Sequence, residues 1–219
     1  MGLTLHSMEV IKSCLPAKRI LSLGYPDIVV PCETIEQLFG ISVSKTTDFG
    51  KWHGVKYRLP DTISLFNQMG SDIKCVDINA SRGVEEIVDL NFPVDLGKFD
   101  LVIDAGTIEH CFHIGQAIIN AASAVGPRGR IFHSNPMNSM NHGFYNLSPT
   151  IYWDFYKQNG WEIERFYAID REQNIYNVPN LKRFLSKSEW NLLCVAQRTN
   201  FMPLSIPVQE KYRLHSDLH

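Results

Sequence analysis

The sequence has no apolar run long enough to cross a bilayer. Its longest apolar stretches, residues 99–103 and 117–125, end well before the roughly 20 residues that a membrane-spanning helix needs. The first 15 residues contain no basic region followed by a long apolar core, so we predict no signal peptide. These absences together predict a cytoplasmic protein without a membrane span.

Neither sign of charge is in excess, and the cysteines form no motif. Lys and Arg total 21 and Asp and Glu total 23, which gives a formal net charge of −2. This balance argues against a nucleic-acid-binding protein, which usually carries a clear basic excess. Five cysteines at scattered spacings, with no CxxC pair among them, predict buried, reduced thiols in a cytosolic protein.

Several common catalytic signatures are also missing. The chain contains no GxSxG nucleophile elbow and no P-loop of the form GxxxxGK followed by Ser or Thr, so we drop the serine hydrolase and P-loop interpretations. Metal ligands could come from Glu109, His110, His113, His133 and His142, but HExxH and cysteine clusters are absent. We therefore predict no bound metal and keep a metal-dependent hydrolase as an open alternative.

What the chain does contain is enough apolar sequence for one large α/β domain. Its 219 residues are 44% hydrophobic and 11% aromatic, and a chain of this size buries roughly 70% of its unfolded surface. Near-continuous apolar strands that alternate with helices predict a parallel sheet covered on both faces. The predicted strands are residues 19–24, 73–78, 86–90, 99–104, 130–133, 162–169 and 190–198, and the predicted helices are residues 34–39, 61–69, 113–125 and 148–159.

The pattern predicts a mostly parallel seven-stranded sheet with an antiparallel C-terminal hairpin. The hairpin is expected because a turn-rich stretch without a clear helix separates the last two predicted strands. We predict a single domain over residues 1–219. Residues 41–60, a long polar excursion containing two glycines, are a candidate lid, and residues 199–219 form a C-terminal arm.

Acidic side chains follow three of the predicted strands. Asp77, Asp89 and Asp104 lie at strand ends, and Gly24 and Asn135 lie at the ends of two others. Ligands of an open α/β sheet bind beyond the carboxyl ends of its strands. One such acid alone is most often a helix cap or a turn residue, but three together predict a ligand site.

Four short segments, in order, resemble the class I S-adenosylmethionine-dependent methyltransferases. They are CVDI with Asp77, DLN with Asp89, FDLVIDAGTIEH with Asp104, and VGPRGRIFHSNP. The resemblance covers most of the chain and implies a Rossmann-like fold with S-adenosylmethionine as cofactor. It also implies that Asp77 binds the ribose and that Asp89 holds the adenine amino group. The cofactor-binding residues that it implies are Gly24, Tyr25, Asp27, Asp77, Ile78, Asp89, Leu90, Asp104, Ala105 and Gly106.

The chain departs from this family after its first strand. The family usually has an acidic residue two positions before a glycine-rich loop, but here Ser22 takes the acidic position and Pro26 takes that of the second glycine. Glycine lets a backbone approach a ligand closely, so Pro26 and Ile28 crowd the site. Asp27 is a candidate substitute partner for the methionine ammonium group. The alternative is a methyltransferase-like domain that has lost cofactor binding and acts as an interaction subunit.

Residues 138–149, which we call the overhanging segment, follow the fifth strand and contain HGFY and Ser-Pro. A similar segment occurs in methyltransferase-like proteins of bacterial glycan gene clusters. The resemblance implies a small-molecule acceptor, with a sugar or glycan-precursor hydroxyl favoured, and it leaves oligomerisation open. Trp52, Asn135 and Tyr145 are the predicted acceptor-binding residues.

Transfer to a hydroxyl group calls for a general base. Histidine titrates near neutral pH, and His142 is the first candidate because it lies in the overhanging segment. His110 is the second candidate and His133 is the third.

Overall fold

The computed structural model describes residues 2–179 and 182–213. The strands are β1 (Arg19–Leu23), β2 (Thr46–Thr47), β3 (Leu59–Pro60), β4 (Asp72–Asp77), β5 (Glu86–Ile87), β6 (Phe99–Asp104), β7 (Val125–Pro136), β8 (Glu162–Asp170), β9 (Ile175–Asn177) and β10 (Trp190–Gln197). The α-helices are α1 (Leu5–Ser13), α2 (Cys32–Phe39), α3 (Thr62–Gln68), α4 (Ile114–Ala124), α5 (Pro149–Gln158) and α6 (Glu210–Arg213). Two 3-10 helices span Phe49–His53 and Ile108–His110.

The main sheet has eight strands in the order β5-β4-β1-β6-β7-β10-β8-β9. The first five strands run parallel, and the last three pair antiparallel. The predicted α/β, Rossmann-like architecture with its antiparallel C-terminal hairpin is confirmed. The predicted count of seven strands was one too low, because β9 forms in the stretch expected to be turns and pairs with β8.

Helices cover both faces of this sheet, as predicted. Along β1 and β6, Leu21 and Val102 pack into a core beneath α4 and α5, whereas Ile20 and Ile103 pack into a second core beneath α1, α2 and α3. The central strands are apolar on both faces for this reason. Two buried layers therefore hold their carboxyl ends in fixed positions.

Helix α1 was not predicted from the sequence. Thr4 caps its first turn by accepting a hydrogen bond from the Ser7 backbone N–H at 3.3 Å. Just before the helix, the backbone N–H of Leu3 donates to the Asp27 carbonyl at 2.7 Å, and that of Val29 donates to the Leu3 carbonyl at 2.9 Å. The N-terminal segment thereby fixes the loop that follows β1.

The excursion at residues 41–60 forms a small hairpin with a 3-10 turn at its tip. Thr46 pairs with Pro60 and Thr47 pairs with Leu59, and Phe49–His53 forms the 3-10 helix. Its role as a lid stays a prediction. None of the helices in the described ranges is long and apolar enough to cross a membrane.

The C-terminal arm packs along the end of α5. The Asn159 side chain accepts a hydrogen bond from the Ser205 backbone N–H at 2.7 Å, and Gln158 accepts one from that of Val208 at 2.8 Å. Residues 214–219 of the predicted arm lie outside the described residues.

Candidate active site

The loop after β1 meets the carboxyl ends of β4 and β6, and this row of strand ends forms one edge of the sheet. Gly24 adopts a φ of +75°, and its N–H donates to the Val76 carbonyl at 2.7 Å. A Cβ at this position would lie 3.1 Å from Thr107 Oγ1 and 3.4 Å from Asp77 Oδ2. Both the backbone conformation and the close approach therefore favour glycine here.

Asp77 presents a free carboxylate oxygen to this space. Its Oδ1 accepts a hydrogen bond from the Asn79 backbone N–H at 3.2 Å. Its Oδ2, the atom facing Gly24, accepts no hydrogen bond from any described residue. Ile78 follows with an exposed side chain. The end of β4 thus combines a hydrogen-bond acceptor with an exposed apolar surface.

Asp89 lies farther along the same edge and forms an Asx turn. Its Oδ1 accepts hydrogen bonds from the backbone N–H of Asn91 at 2.9 Å and from the Asn91 side chain at 2.7 Å. Leu90 is buried beside it. The contact of Asp89 with an adenine amino group stays a prediction.

Asp104 is directed into the protein. Its Oδ1 accepts hydrogen bonds from the backbone N–H groups of Thr107 at 3.0 Å and Ile108 at 3.4 Å. Its Oδ2 lies 2.8 Å from His133 Nδ1 and accepts a hydrogen bond from Asn135 Nδ2 at 3.0 Å. The carboxylate is completely buried. It therefore orients groups beneath the site, and only the backbone of Ala105 and Gly106 remains at the turn above it.

His133 belongs to this buried network. Its Nε2 lies 2.6 Å from the Tyr156 hydroxyl, and its ring stacks on Tyr152 with a centroid distance of 4.2 Å. Both ring nitrogens have partners, and the side chain is completely buried. This geometry disfavours the predicted role of His133 as a base, because neither ring nitrogen is free to contact the molecule that would receive the methyl group.

Asp27 is also buried, in an ion pair that joins three segments. The side chain is 5% exposed, and its Oδ2 contacts the Arg82 guanidinium group and lies 2.8 Å from His53 Nε2. Its Oδ1 has no partner. In this arrangement the carboxylate faces Arg82 rather than the sheet edge, which disfavours the predicted contact with a methionine ammonium group.

The Arg82 guanidinium group lies among three aromatic rings. It is 3.2 Å from the centroid of Phe49, 5.4 Å from that of Trp52 and 5.5 Å from that of Tyr25. Tyr25 is fixed in turn, because its hydroxyl accepts a hydrogen bond from the Thr62 backbone N–H at 3.1 Å. The predicted acceptor residue Trp52 therefore forms part of the cover over Arg82, with most of its ring exposed.

Glu109, His110 and His142 form a polar cluster above the ends of β6 and β7. Glu109 Oε1 lies 3.5 Å from His142 Nε2 and 3.9 Å from His110 Nε2, and the two imidazole centroids are 5.1 Å apart. Glu109 Oε2 accepts a hydrogen bond from Asn135 Nδ2 at 3.0 Å. The two leading base candidates are thus brought together, with Asn135 beneath them.

Burial governs the titration of this cluster. Burial, followed by repulsion from the Asp104 carboxylate, raises the pKa of Glu109 to about 7. Burial also lowers the pKa of His110 and of His142, and for His110 the neighbouring His142 adds to this shift. The uncharged form of each of the three side chains is therefore favoured relative to water.

The overhanging segment lies directly on Glu109. A Cβ at Gly143 would be 2.8 Å from the Glu109 carbonyl oxygen and 3.1 Å from its Cγ. The Tyr145 backbone N–H donates to the same carbonyl at 3.2 Å, and the Tyr145 hydroxyl donates to the Phe112 carbonyl at 2.8 Å. Phe112 and Phe144 form an exposed edge-to-face pair nearby, with centroids 5.6 Å apart. Tyr145 therefore fixes the segment, and this aromatic pair extends the rim.

Sequence analysis named Glu109 only as a possible metal ligand and missed Arg82 altogether. Glu109 had a usable signal, because it sits beside His110 just after the strongest predicted strand. Arg82 had none, because its partners Asp27 and His53 are far away in the sequence and are brought close only by folding.

No protein-family model matches the chain, and no curated protein matches its sequence. Many solved structures resemble its fold, and three of them illustrate the likeness. TehB from Haemophilus influenzae gives a TM-score of 0.53 at 11% identity over 88% of this chain and 61% of that one. Burkholderia thailandensis 1,6-didemethyltoxoflavin-N1-methyltransferase, with bound 1,6-didemethyltoxoflavin and S-adenosylhomocysteine, gives 0.50 at 12% identity, over 89% and 76%. StiE O-MT residues 961–1257 give 0.52 at 11% identity, over 90% and 75%.

This chain thus spans less than two thirds of the TehB chain, and its sequence differs from all three. At such low identity the comparison shows the fold alone. The chain shares the Rossmann-like α/β fold of solved S-adenosylmethionine-dependent methyltransferases.

Proposed function

We propose that the protein is an S-adenosylmethionine-dependent methyltransferase that acts on a hydroxyl group of a small acceptor. The observation that carries this proposal is the free Oδ2 of Asp77, which faces Gly24 at the carboxyl ends of β4 and β1. Glycine lets the loop after β1 approach Thr107 and Asp77 closely, and the free carboxylate oxygen can accept hydrogen bonds from a ribose diol.

The adenosine part of the cofactor fits the residues present. Asp77 would accept from the ribose hydroxyls, the exposed Ile78 would contact the adenine, and Asp89 lies farther along the same edge. S-adenosylmethionine supplies an electrophilic methyl carbon, so the protein contributes mainly binding and orientation. Orientation of this kind is worth about 7–11 kcal/mol. The Burkholderia relative, solved with S-adenosylhomocysteine, supports the same cofactor here.

The acceptor would bind at the exposed sides of His110 and His142 in the Glu109–His110–His142 cluster. Thr107 connects the two halves of the site, because its hydroxyl donates to the Leu23 carbonyl at 2.6 Å and Glu109 follows two residues later. We place removal of the acceptor proton at the cluster, where general base catalysis contributes about 100- to 10,000-fold. A sugar or glycan-precursor hydroxyl is the favoured acceptor, on the likeness of the HGFY and Ser-Pro segment noted above.

A second candidate function is an interaction subunit that has lost cofactor binding. The buried Asp27–Arg82 ion pair favours it, because it lies in the loop where the methionine part would bind. A cofactor ammonium group would meet the Arg82 cation there instead of an available carboxylate.

Calorimetry with S-adenosylhomocysteine separates these two functions. The proposal predicts binding by the wild type, and a roughly 10- to 100-fold weaker affinity for Asp77→Ala, since a hydrogen bond to a charged group contributes about 1.5–3 kcal/mol. Asp72→Ala is the matched control, because Asp72 is exposed at the opposite end of the same strand, β4, and its affinity should be unchanged. No binding by the wild type at millimolar concentration would favour the interaction subunit.

A further inference from the structure

We infer that Glu109, His110 and His142 form a binding site for one divalent transition-metal ion, of which Zn²⁺ is the best match. One ligand atom from each of these three side chains lies within 4.8 Å of the other two. Sequence analysis predicted no bound metal, because the chain lacks an HExxH motif. Folding supplies the cluster in another way, by placing His142 from the overhanging segment against two adjacent residues of the 3-10 helix that follows β6.

The donor atoms match the chemistry of such an ion. Two imidazole nitrogens with one carboxylate oxygen form a ligand set found in catalytic zinc and non-haem iron sites. In a tetrahedral zinc site with bonds of about 2.0–2.1 Å, ligand atoms lie about 3.4 Å apart. Glu109 Oε1 is 3.5 Å from His142 Nε2 and 3.9 Å from His110 Nε2. The two imidazole nitrogens lie within 4.8 Å of each other, and rotation of these partly exposed side chains would bring them to the distance that the ion requires.

An unpartnered buried oxygen points to a ligand at this place. Glu109 is completely buried, and its Oε1 accepts no hydrogen bond while facing both imidazoles. A buried carboxylate oxygen without a partner is costly, and buried charges are normally paired or bound to a metal. A cation held between Oε1 and the two imidazole nitrogens would satisfy this atom.

The surrounding residues hold Glu109 as a metal ligand is usually held. Asn135 Nδ2 donates to Glu109 Oε2 at 3.0 Å, and Asn135 Oδ1 accepts from the Tyr152 hydroxyl at 2.6 Å. Outer hydrogen bonds of this kind orient metal ligands in known sites. His110 and His142 are partly exposed, so the remaining coordination positions would face the acceptor side.

The role of this ion, unlike its binding, rests on the proposed function. A metal at this position would bind the acceptor hydroxyl oxygen and lower its pKa, and the released proton would pass to solvent water on the exposed side of the cluster. The acceptor class is then a small molecule with a hydroxyl group able to coordinate the metal. His142, predicted as the base, would act as a ligand instead.

The test titrates metal-free full-length protein with Zn²⁺ by calorimetry and with Co²⁺ by visible absorption. The background variant His215→Asn/His219→Asn removes the two tail histidines, which lie outside the described residues. We expect one equivalent bound. His110→Asn, His142→Asn and Glu109→Gln should each weaken binding more than about 100-fold, because replacing even an outer partner of a ligand costs about 10- to 100-fold.

His113→Asn is the matched control, since His113 is exposed three residues from His110 and its loss should leave the affinity unchanged. Circular dichroism checks that each variant folds, and His110→Asn stays informative if Glu109→Gln fails, because His110 is half-exposed. Binding that survives His110→Asn and His142→Asn, or no binding by the background protein, would overturn the metal site. Metal binding without S-adenosylhomocysteine binding would keep this site and remove the proposed function.

Discussion

Gly143 is the residue on which the geometry of the polar cluster depends most directly. A Cβ added at this position would lie so close to the Glu109 carbonyl oxygen and Cγ that no larger residue fits without movement. Because His142 is the preceding residue, any displacement there separates its imidazole from Glu109.

Gly143→Ala should therefore destabilise the protein and weaken metal binding together. Overpacking of this kind costs about 1–3 kcal/mol, and urea unfolding with a parallel Zn²⁺ titration measures both effects. Gly115→Ala is the control: Gly115 lies in α4 with nothing within 4 Å of an added Cβ, so it should stabilise by about 0.4–1 kcal/mol. Unchanged stability and metal affinity in Gly143→Ala would show that the segment yields freely.

For single residues, the sequence predicted which side chains lie at the site better than it predicted their hydrogen-bond partners. Gly24, Asp77 and His142 were identifiable because strand ends and the segments after them lie at the ligand-binding edge. The inward direction of Asp104 was not, since it depends on His133 and Asn135 from a neighbouring strand. Which oxygen of a carboxylate stays free is decided by such contacts, and local sequence does not encode them.

Arg82 connects three segments that no strand pairing joins. It lies in the loop between β4 and β5, pairs with Asp27 after β1, and packs on Phe49 in the 3-10 helix. The largely buried Arg82 guanidinium group thus holds the excursion at residues 41–60 over the loop that follows β1.

Arg82→Met should destabilise the protein by about 3 kcal/mol, because removing one partner of a buried ion pair leaves the other charge uncompensated. Adding Asp27→Asn should restore part of the loss by removing that charge. Arg58→Met is the control, since its pair with Asp48 is exposed and such pairs contribute about 0–1 kcal/mol. Urea denaturation measures all four proteins, and equal losses in the two single arginine variants would contradict the ion-pair argument.

Among the elements, most strands of the main sheet and helices α2 to α5 were predicted from the sequence, whereas α1 and β9 were not. Phe99–Asp104 matches its predicted bounds, and α3 lies within the predicted helix 61–69, with Asp61 as its N-cap. Helix α1 and strand β9 were missed because tertiary pairing, with the β1 loop and with β8, stabilises them more than their own patterns do. Strand β7 begins at Val125, earlier than the predicted residue 130, because Gly126 and Gly129 lie against the Phe99 backbone, where no side chain fits.

For the whole molecule, Asp154 links the C-terminal arm to the core. It is buried on α5, and its Oδ2 accepts a hydrogen bond from the Glu210 backbone N–H at 3.2 Å, while its Oδ1 has no partner. Burial raises the pKa of this carboxyl above its ordinary value of 3.8. The folded protein therefore binds this proton more tightly than the unfolded chain, and its stabilising effect is lost as pH rises through the folded pKa.

Asp154→Asn should thus have a higher Tm than the wild type at pH 7. The difference should shrink as pH falls through the raised pKa of Asp154 toward 3.8, because the wild-type side chain then becomes neutral as well. Scanning calorimetry across this range measures it. Asp95→Asn, at an exposed position, controls for the loss of one carboxylate, and a constant offset for Asp154→Asn would contradict the titration argument.

The order of the sheet also bears on how copies of the protein meet. Its two outermost described strands are short, with two residues in β5 and three in β9. An exposed edge is a template for recruiting a strand from another molecule, and strands in globular proteins are commonly about 5–6 residues long. Neither of these two strands offers a backbone ladder of that length. Addition of a strand from another copy onto β5 or β9 is therefore disfavoured.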